Sequence, residues 1–194
     1  MRSNTLRKRR RLALAGLTAL FALAVAVPAS AQTGGTPPPG STESTPTPAP
    51  TGPPGKARLL PNGKAVAPAN APPAVQSAIA AGNAIRKRPY VWGGGHQSFA
   101  STGYDCSGAV SYVLNGAGML ASPMPSGPLM AWGLPGKGYW ISVFSNPSHV
   151  YMVVAGLRFD TSAVGESVRR GSGPRWRASK RKPAGYVVRH FQGY

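Results

Sequence analysis

Apolar and polar positions divide the chain into three stretches. Residues 1–31 carry six basic residues, a mainly apolar run from about Leu12 to Val27, then Pro28 and the small-x-small triplet Ala29, Ser30 and Ala31. This is the pattern of a secretory signal cleaved after Ala31, and it implies a secreted or wall-associated product. The apolar run falls short of the roughly 20 residues of a spanning helix. Arg10 and Arg11 leave both the general and the twin-arginine route open. Residues 32–70, including "TGGTPPPGSTESTPTPAPTGPPGK", have almost no large apolar side chain. Such a tract cannot bury enough surface to offset its ordering entropy, so it is read as a disordered tether. Periodic patterns begin only at residue 71 and continue to 194, a length that suits one domain with its own core.

Within residues 71–194 the first pattern is helical. Val75, Ala78 and Ile79 form one stripe over residues 73–85, with proline at the entrance, Gly82 near the end and Pro89 as the stop. The short piece "YVWGGGH" runs into a glycine turn, Gly93 to Gly95, which leaves little side-chain bulk above whatever lies beneath. In "GYDCSGAVSYVL", Asp105 is placed to cap a second helix whose inward positions are Ala109, Val110, Val113 and Leu114, ended by Gly116 and Gly118. Residues 119–137 are too rich in proline and glycine for a regular element and are expected to loop over one edge. Residues 138–144, 149–156, 157–162 and 185–191 show β-branched and aromatic enrichment with partial alternation. A helical half followed by antiparallel strands is an α+β fold.

Charge narrows the partners. Six of the 22 basic residues lie in the leader, which leaves 16 against Glu43, Asp105, Asp160 and Glu166, a net +12. A cationic exported protein is drawn to anionic surfaces such as cell-wall polymers. The run "RRGSGPRWRASKRKP" at 169–183 also raises nucleic-acid binding, but no helix or zinc-ligand spacing that would place bases accompanies it, and none is expected. A plain soluble basic face accounts for the run equally well.

Candidate chemistry centres on Cys106, the only cysteine. An exported lone thiol has no intramolecular disulfide partner. A helix N-terminus favours thiolate through unsatisfied amides and the helix dipole, which makes Cys106 a candidate nucleophile, against the alternative of a small buried hydrophobe. If Ala155 and Gly156 form a two-residue hairpin loop, Tyr151 lies opposite Asp160, and His149 becomes a diagonal neighbour of Asp160 on the same face. A base beside a thiol, with a third group fixing the ring, is what nucleophilic catalysis requires. Of the other histidines, His96 sits in the glycine loop where it could line a cleft, and His190 is read as structural. With one cysteine and no HExxH, neither a metal site nor a cofactor is expected.

The order "PYVWGGG", "DCSG", "SHVYMVVAG" resembles the NlpC/P60 family of papain-like cysteine peptidases, over roughly residues 71–165. The resemblance implies a papain-like fold with N-terminal helices on a central antiparallel sheet. It implies Cys106 as nucleophile, His149 as base, Asp160 where the family commonly has histidine, and Tyr90 beside the oxyanion site. Asp105 and Ser107 would receive the free amine of a stem peptide, with Gly94 and His96 lining the substrate path. The implied substrate is peptidoglycan, at the bond between γ-D-glutamyl and the diamino acid, cleaved by a monomer. A papain-like acyltransferase or amidase, and a catalytically silent wall-binding module, are the alternatives.

Overall fold

A computed structural model describes residues 54–166 and 172–194. The leader, residues 32–53 of the tether and part of the 169–183 basic run lie outside the described residues. Two helices form where the apolar stripes predicted them. Helix α1, Pro73–Ile85, buries Val75, Ala78, Ile79, Gly82 and Ile85. Helix α2, Cys106–Gly116, starts at Asp105, whose carboxylate accepts from the Gly108 amide at 2.8 Å, and ends before Gly118 in the left-handed region. The two helices pack together, and Gly116 allows the approach, since a Cβ there would meet that of Ala81 at 2.5 Å.

Six strands make an antiparallel sheet: β3, Leu134–Pro135; β4, Ile141–Ser145; β5, Val150–Val154; β6, Leu157–Asp160; β7, Arg175–Arg177; and β8, Val187–His190. Their order is β3-β8-β4-β5-β6-β7. The fold is therefore α+β, with N-terminal helices against an antiparallel sheet. Alternation fixes the two faces. Ile141, Val143, Val150, Met152, Val154 and Phe159 are fully buried. They share the helix-facing side with Trp176, whose indole would be struck at 2.4 Å by a Cβ on Gly82 of α1. Ser142, Phe144, Tyr151, Val153 and Arg158 point to the opposite side.

Three expectations change. Residues 54–70 do not all belong to a tether: Arg58–Leu59 (β1) and Ala65–Val66 (β2) pair as a short hairpin. Asn83 of α1 binds both the amide and the carbonyl of Ala65 at 2.8 Å, and Ala65 is buried in the core, so the folded unit begins well before residue 71. The 119–137 segment does carry structure, in a short helix α3, Ser126–Leu129, and strand β3 on β8. It is tied to α2 by Ser111 at both the amide and carbonyl of Met124, and to β4 by Ser145 at the carbonyl of Ser126. Finally, the basic run contains β7, whose Trp176 and Arg177 are buried, Arg177 pairing with Glu166 at 2.8 Å. Among the described residues, no helix is long and apolar enough to cross a membrane.

Candidate active site

Cys106 opens α2 and is buried, beside the equally buried Asp105 and Ser107. The glycine turn explains how the chain reaches this corner. Gly94 accepts from the Asp105 amide at 3.2 Å, and a Cβ on Gly108 would come within 2.0 Å of the Gly94 carbonyl oxygen. A Cβ on Gly94 itself would meet the Gly103 carbonyl at 2.3 Å. Gly94 is thus buried, and its backbone packs beneath the first turn of α2.

The Asp105 carboxylate organises a polar group on one side of the thiol. Besides capping Gly108 it accepts from the Gly93 amide at 3.1 Å and from Ser107 Oγ at 3.1 Å. His96 Nε2 lies 2.9 Å from Asp105 Oδ2 and 2.9 Å from Ser107 Oγ. His96, Asp105 and Ser107 form one connected cluster.

On the other side stands His149, immediately before β5. Asn146 Oδ1 accepts from the amides of Ser148 and His149 at 3.0 and 2.8 Å, an Asx-type turn that sets the start of the strand. The β5–β6 connection is a two-residue loop with Ala155 and Gly156 both at positive φ, 46° and 77°. Its register pairs Val154 with Leu157 and Met152 with Phe159. Asp160, at the end of β6, then meets His149 Nε2 at 2.9 Å, with the Asp160 side chain fully buried. Burial opposes protonation of His149, but hydrogen bonds to Asp160 and Cys106, and the charges of both, raise its pKa from 6.5 to about 9. Burial likewise opposes charge on Asp160, yet its bond to His149, the Ser162 amide at 2.8 Å and Arg181 hold it below the ordinary carboxylate value. With Nε2 donating to Asp160, the other ring nitrogen is left for the sulfur.

Tyr90 bridges Tyr104 next to the glycine turn. Its pKa is raised by burial and then by the charges of Cys106 and Asp105, which keeps the phenol a protonated donor near the sulfur. His190 is elsewhere, its Nδ1 3.2 Å from the Gly136 carbonyl oxygen.

Two residues of this site went unread in the sequence. Arg181 donates to Asp160 Oδ2 at 3.1 Å and lies over the rings of Tyr151 and Tyr186 at 5.4 Å from each. Nothing distinguishes it within a run of like charges. Asn146 did have a signal, since Asn-Pro-Ser before a strand is turn chemistry. Among the described residues no cluster of three or more metal-ligating side chains occurs.

Its structural neighbours include a peptidoglycan hydrolase and an NlpC/P60 protein. The first is RipB from Mycobacterium tuberculosis, at 25% identity and a TM-score of 0.47, over 64% of this chain and 68% of that one. The second, from Bacillus cereus, has 22% identity and a TM-score of 0.46, over 70% of this chain and 50% of that one. A hypothetical invasion protein of Mycobacterium tuberculosis is similar at 26% identity and a TM-score of 0.43, over 60% of this chain. The match spans 61% of that protein's length. No family model matches the chain, and no curated protein matches it in sequence.

Proposed function

We propose that this chain is an exported cysteine peptidase of the NlpC/P60 type that hydrolyses peptidoglycan stem peptides, at the bond between γ-D-glutamyl and the diamino acid. The observation that carries the reading is the convergence of Cys106, at the N-terminus of α2, on a His149 already oriented by buried Asp160. The motif order "PYVWGGG", "DCSG", "SHVYMVVAG" supplies the substrate class.

In the proposed reaction Cys106 Sγ adds to the scissile carbonyl carbon and the π electrons move to oxygen. The Cys106 amide, in the first turn where no helical acceptor exists, and the Tyr90 hydroxyl stabilise that oxyanion. Collapse breaks the C–N bond, and His149 gives its proton to the departing amine. Water, losing a proton to His149, then attacks the thioester, and the sulfur leaves to regenerate the site. Asp160 keeps the ring oriented and stabilises the imidazolium without itself accepting the proton. In this reading Asp105, Ser107 and His96 take the free amine of the stem peptide.

The test is mass spectrometry of purified stem peptides with a free amino end, incubated with the chain lacking its leader. New amino termini at the diamino acid are expected, and they should vanish in Cys106→Ser and His149→Ala. Products that form equally with Cys106→Ser would overturn the thiol mechanism. Cleavage at another bond would overturn the substrate assignment.

A further inference from the structure

A cavity of about 510 Å³ opens on the face of the sheet turned away from the helices. Neither Cys106 nor His149 lines it, so it is distinct from the cleft of the proposed reaction. Behind it the outward-facing Phe144 and Tyr151 are buried, with Arg181 over the Tyr151 ring, and the aromatic surface it exposes is Tyr139, 47% exposed, at its side. Around it stand Lys56, Lys137, Arg158, Lys180 and Arg181, and no carboxylate lines the cavity.

These cations differ in what they are free to do. Arg158 is engaged internally through its two terminal nitrogens, which donate to the Val164 carbonyl at 2.9 Å and to Ser179 Oγ at 3.1 Å. Arg181 is held by Asp160. Lys56, Lys137 and Lys180 are exposed and pair with no carboxylate among the described residues. They come from three separate segments, each fixed within one residue of the lysine. Ala57 donates to the Ala155 carbonyl at 2.8 Å. Gly136 and Gly138 donate to the Val188 carbonyl and to Ser142 Oγ at 2.9 and 3.1 Å. Ser179 accepts from Arg158. Three lysines are therefore brought to one rim beside the exposed Tyr139 ring, although their mutual repulsion would favour spreading them.

We propose that this cavity binds a sugar phosphate monoester. A phosphate carries close to two charges near neutral pH and offers three terminal oxygens, which match three ammonium donors approaching from different directions. A bare phosphate would leave the exposed Tyr139 ring uncovered, whereas the apolar face of a sugar ring lies against such a side chain, as in other sites that combine apolar walls with a few charged groups. Arg181, shared by this cavity and Asp160, makes the two sites neighbours.

Binding can be measured without turnover, so a failed hydrolase assay leaves the proposal standing. Isothermal titration of the leaderless chain at 0.15 M NaCl would compare N-acetylglucosamine 6-phosphate, N-acetylglucosamine and inorganic phosphate. The sugar phosphate should bind at least tenfold more tightly than either of the others, and a poly(glycerol phosphate) arm should bind no better per phosphate than inorganic phosphate. Lys137→Glu with Lys180→Glu should weaken the sugar phosphate at least tenfold. The charge-matched control Lys64→Glu with Lys87→Glu, whose lysines do not line the cavity, should change it by less than about twofold, because diffuse attraction alone is screened at this salt. Equal losses in the two double variants, equal binding of phosphate and sugar phosphate, or no saturable binding would each overturn the proposal.

Discussion

His149 and Asp160 are eleven residues apart in sequence and meet at 2.9 Å because a two-residue loop folds β6 back along β5. That loop places a non-glycine residue, Ala155, at φ 46°, in the region that the right-handed twist of a tight hairpin demands. The ring and carboxylate are thus positioned by backbone geometry before any substrate arrives.

Asp160 should act by holding His149. Replacing it with Asn retains size but allows the wrong tautomer, so kcat on wall fragments should fall on the order of 10²-fold or more with little change in KM. Steady-state kinetics measure this directly. An Asp160→Ala enzyme as fast as the parent would show that another group orients the ring.

The pH profile should carry the signature of the pair. Because His149 is protonated up to about pH 9, kcat/KM should decline through about that pH, and the decline should move to lower pH in Asp160→Asn. Stability follows the same shifts. The contribution of His149 is full below its ordinary value of 6.5 and is lost as pH rises through about 9. The contribution of Asp160 is present above 3.8 and is lost as pH falls through its lowered folded value. Urea melts should therefore show the largest gap between the parent and Asp160→Asn between these limits, near pH 5 to 6. A gap as large at pH 10 would contradict the assignment.

Gly82→Ala tests the contact between α1 and β7. Alanine would gain about 1 kcal/mol in helix propensity. Its Cβ, however, would meet the buried Trp176 indole at 2.4 Å, and overpacking of this kind costs about 1 to 3 kcal/mol. A lower denaturation midpoint is expected, and a higher one would mean that the indole yields easily.

The hairpin before α1 should be needed for stability. A chain starting at Ala71 loses the Ala65 contacts of Asn83, and Asn83→Ala alone should cost about 1 to 3 kcal/mol by leaving that backbone unpaired. Thermal melts of both should fall below that of a chain starting at Gly55. Equal melting of the two truncated chains would show that residues 55–70 are indeed only tether.

What the sequence determined by itself was what local physics determines. Amphipathic spacing placed α1 and α2, Asp105 before an apolar stripe marked the start of the second helix, and the parity of a two-residue loop brought His149 and Asp160 to one face. Tertiary structure decided the rest. Trp176 and Arg177 lie in a strand that reads as surface, because an arginine is buried only when a distant partner, Glu166, neutralises it. The β1–β2 hairpin has too few apolar residues to predict itself and is held by an asparagine side chain from α1, by the Ala57 amide on the Ala155 carbonyl and by the burial of Ala65. The Gly94 backbone serves packing because three glycines from separate stretches, Gly94, Gly103 and Gly108, come together, and no local pattern encodes that meeting. Arg181 gained its place beside Asp160 in the same way, since charge along a chain says nothing about which charge the fold will bring to a buried carboxylate.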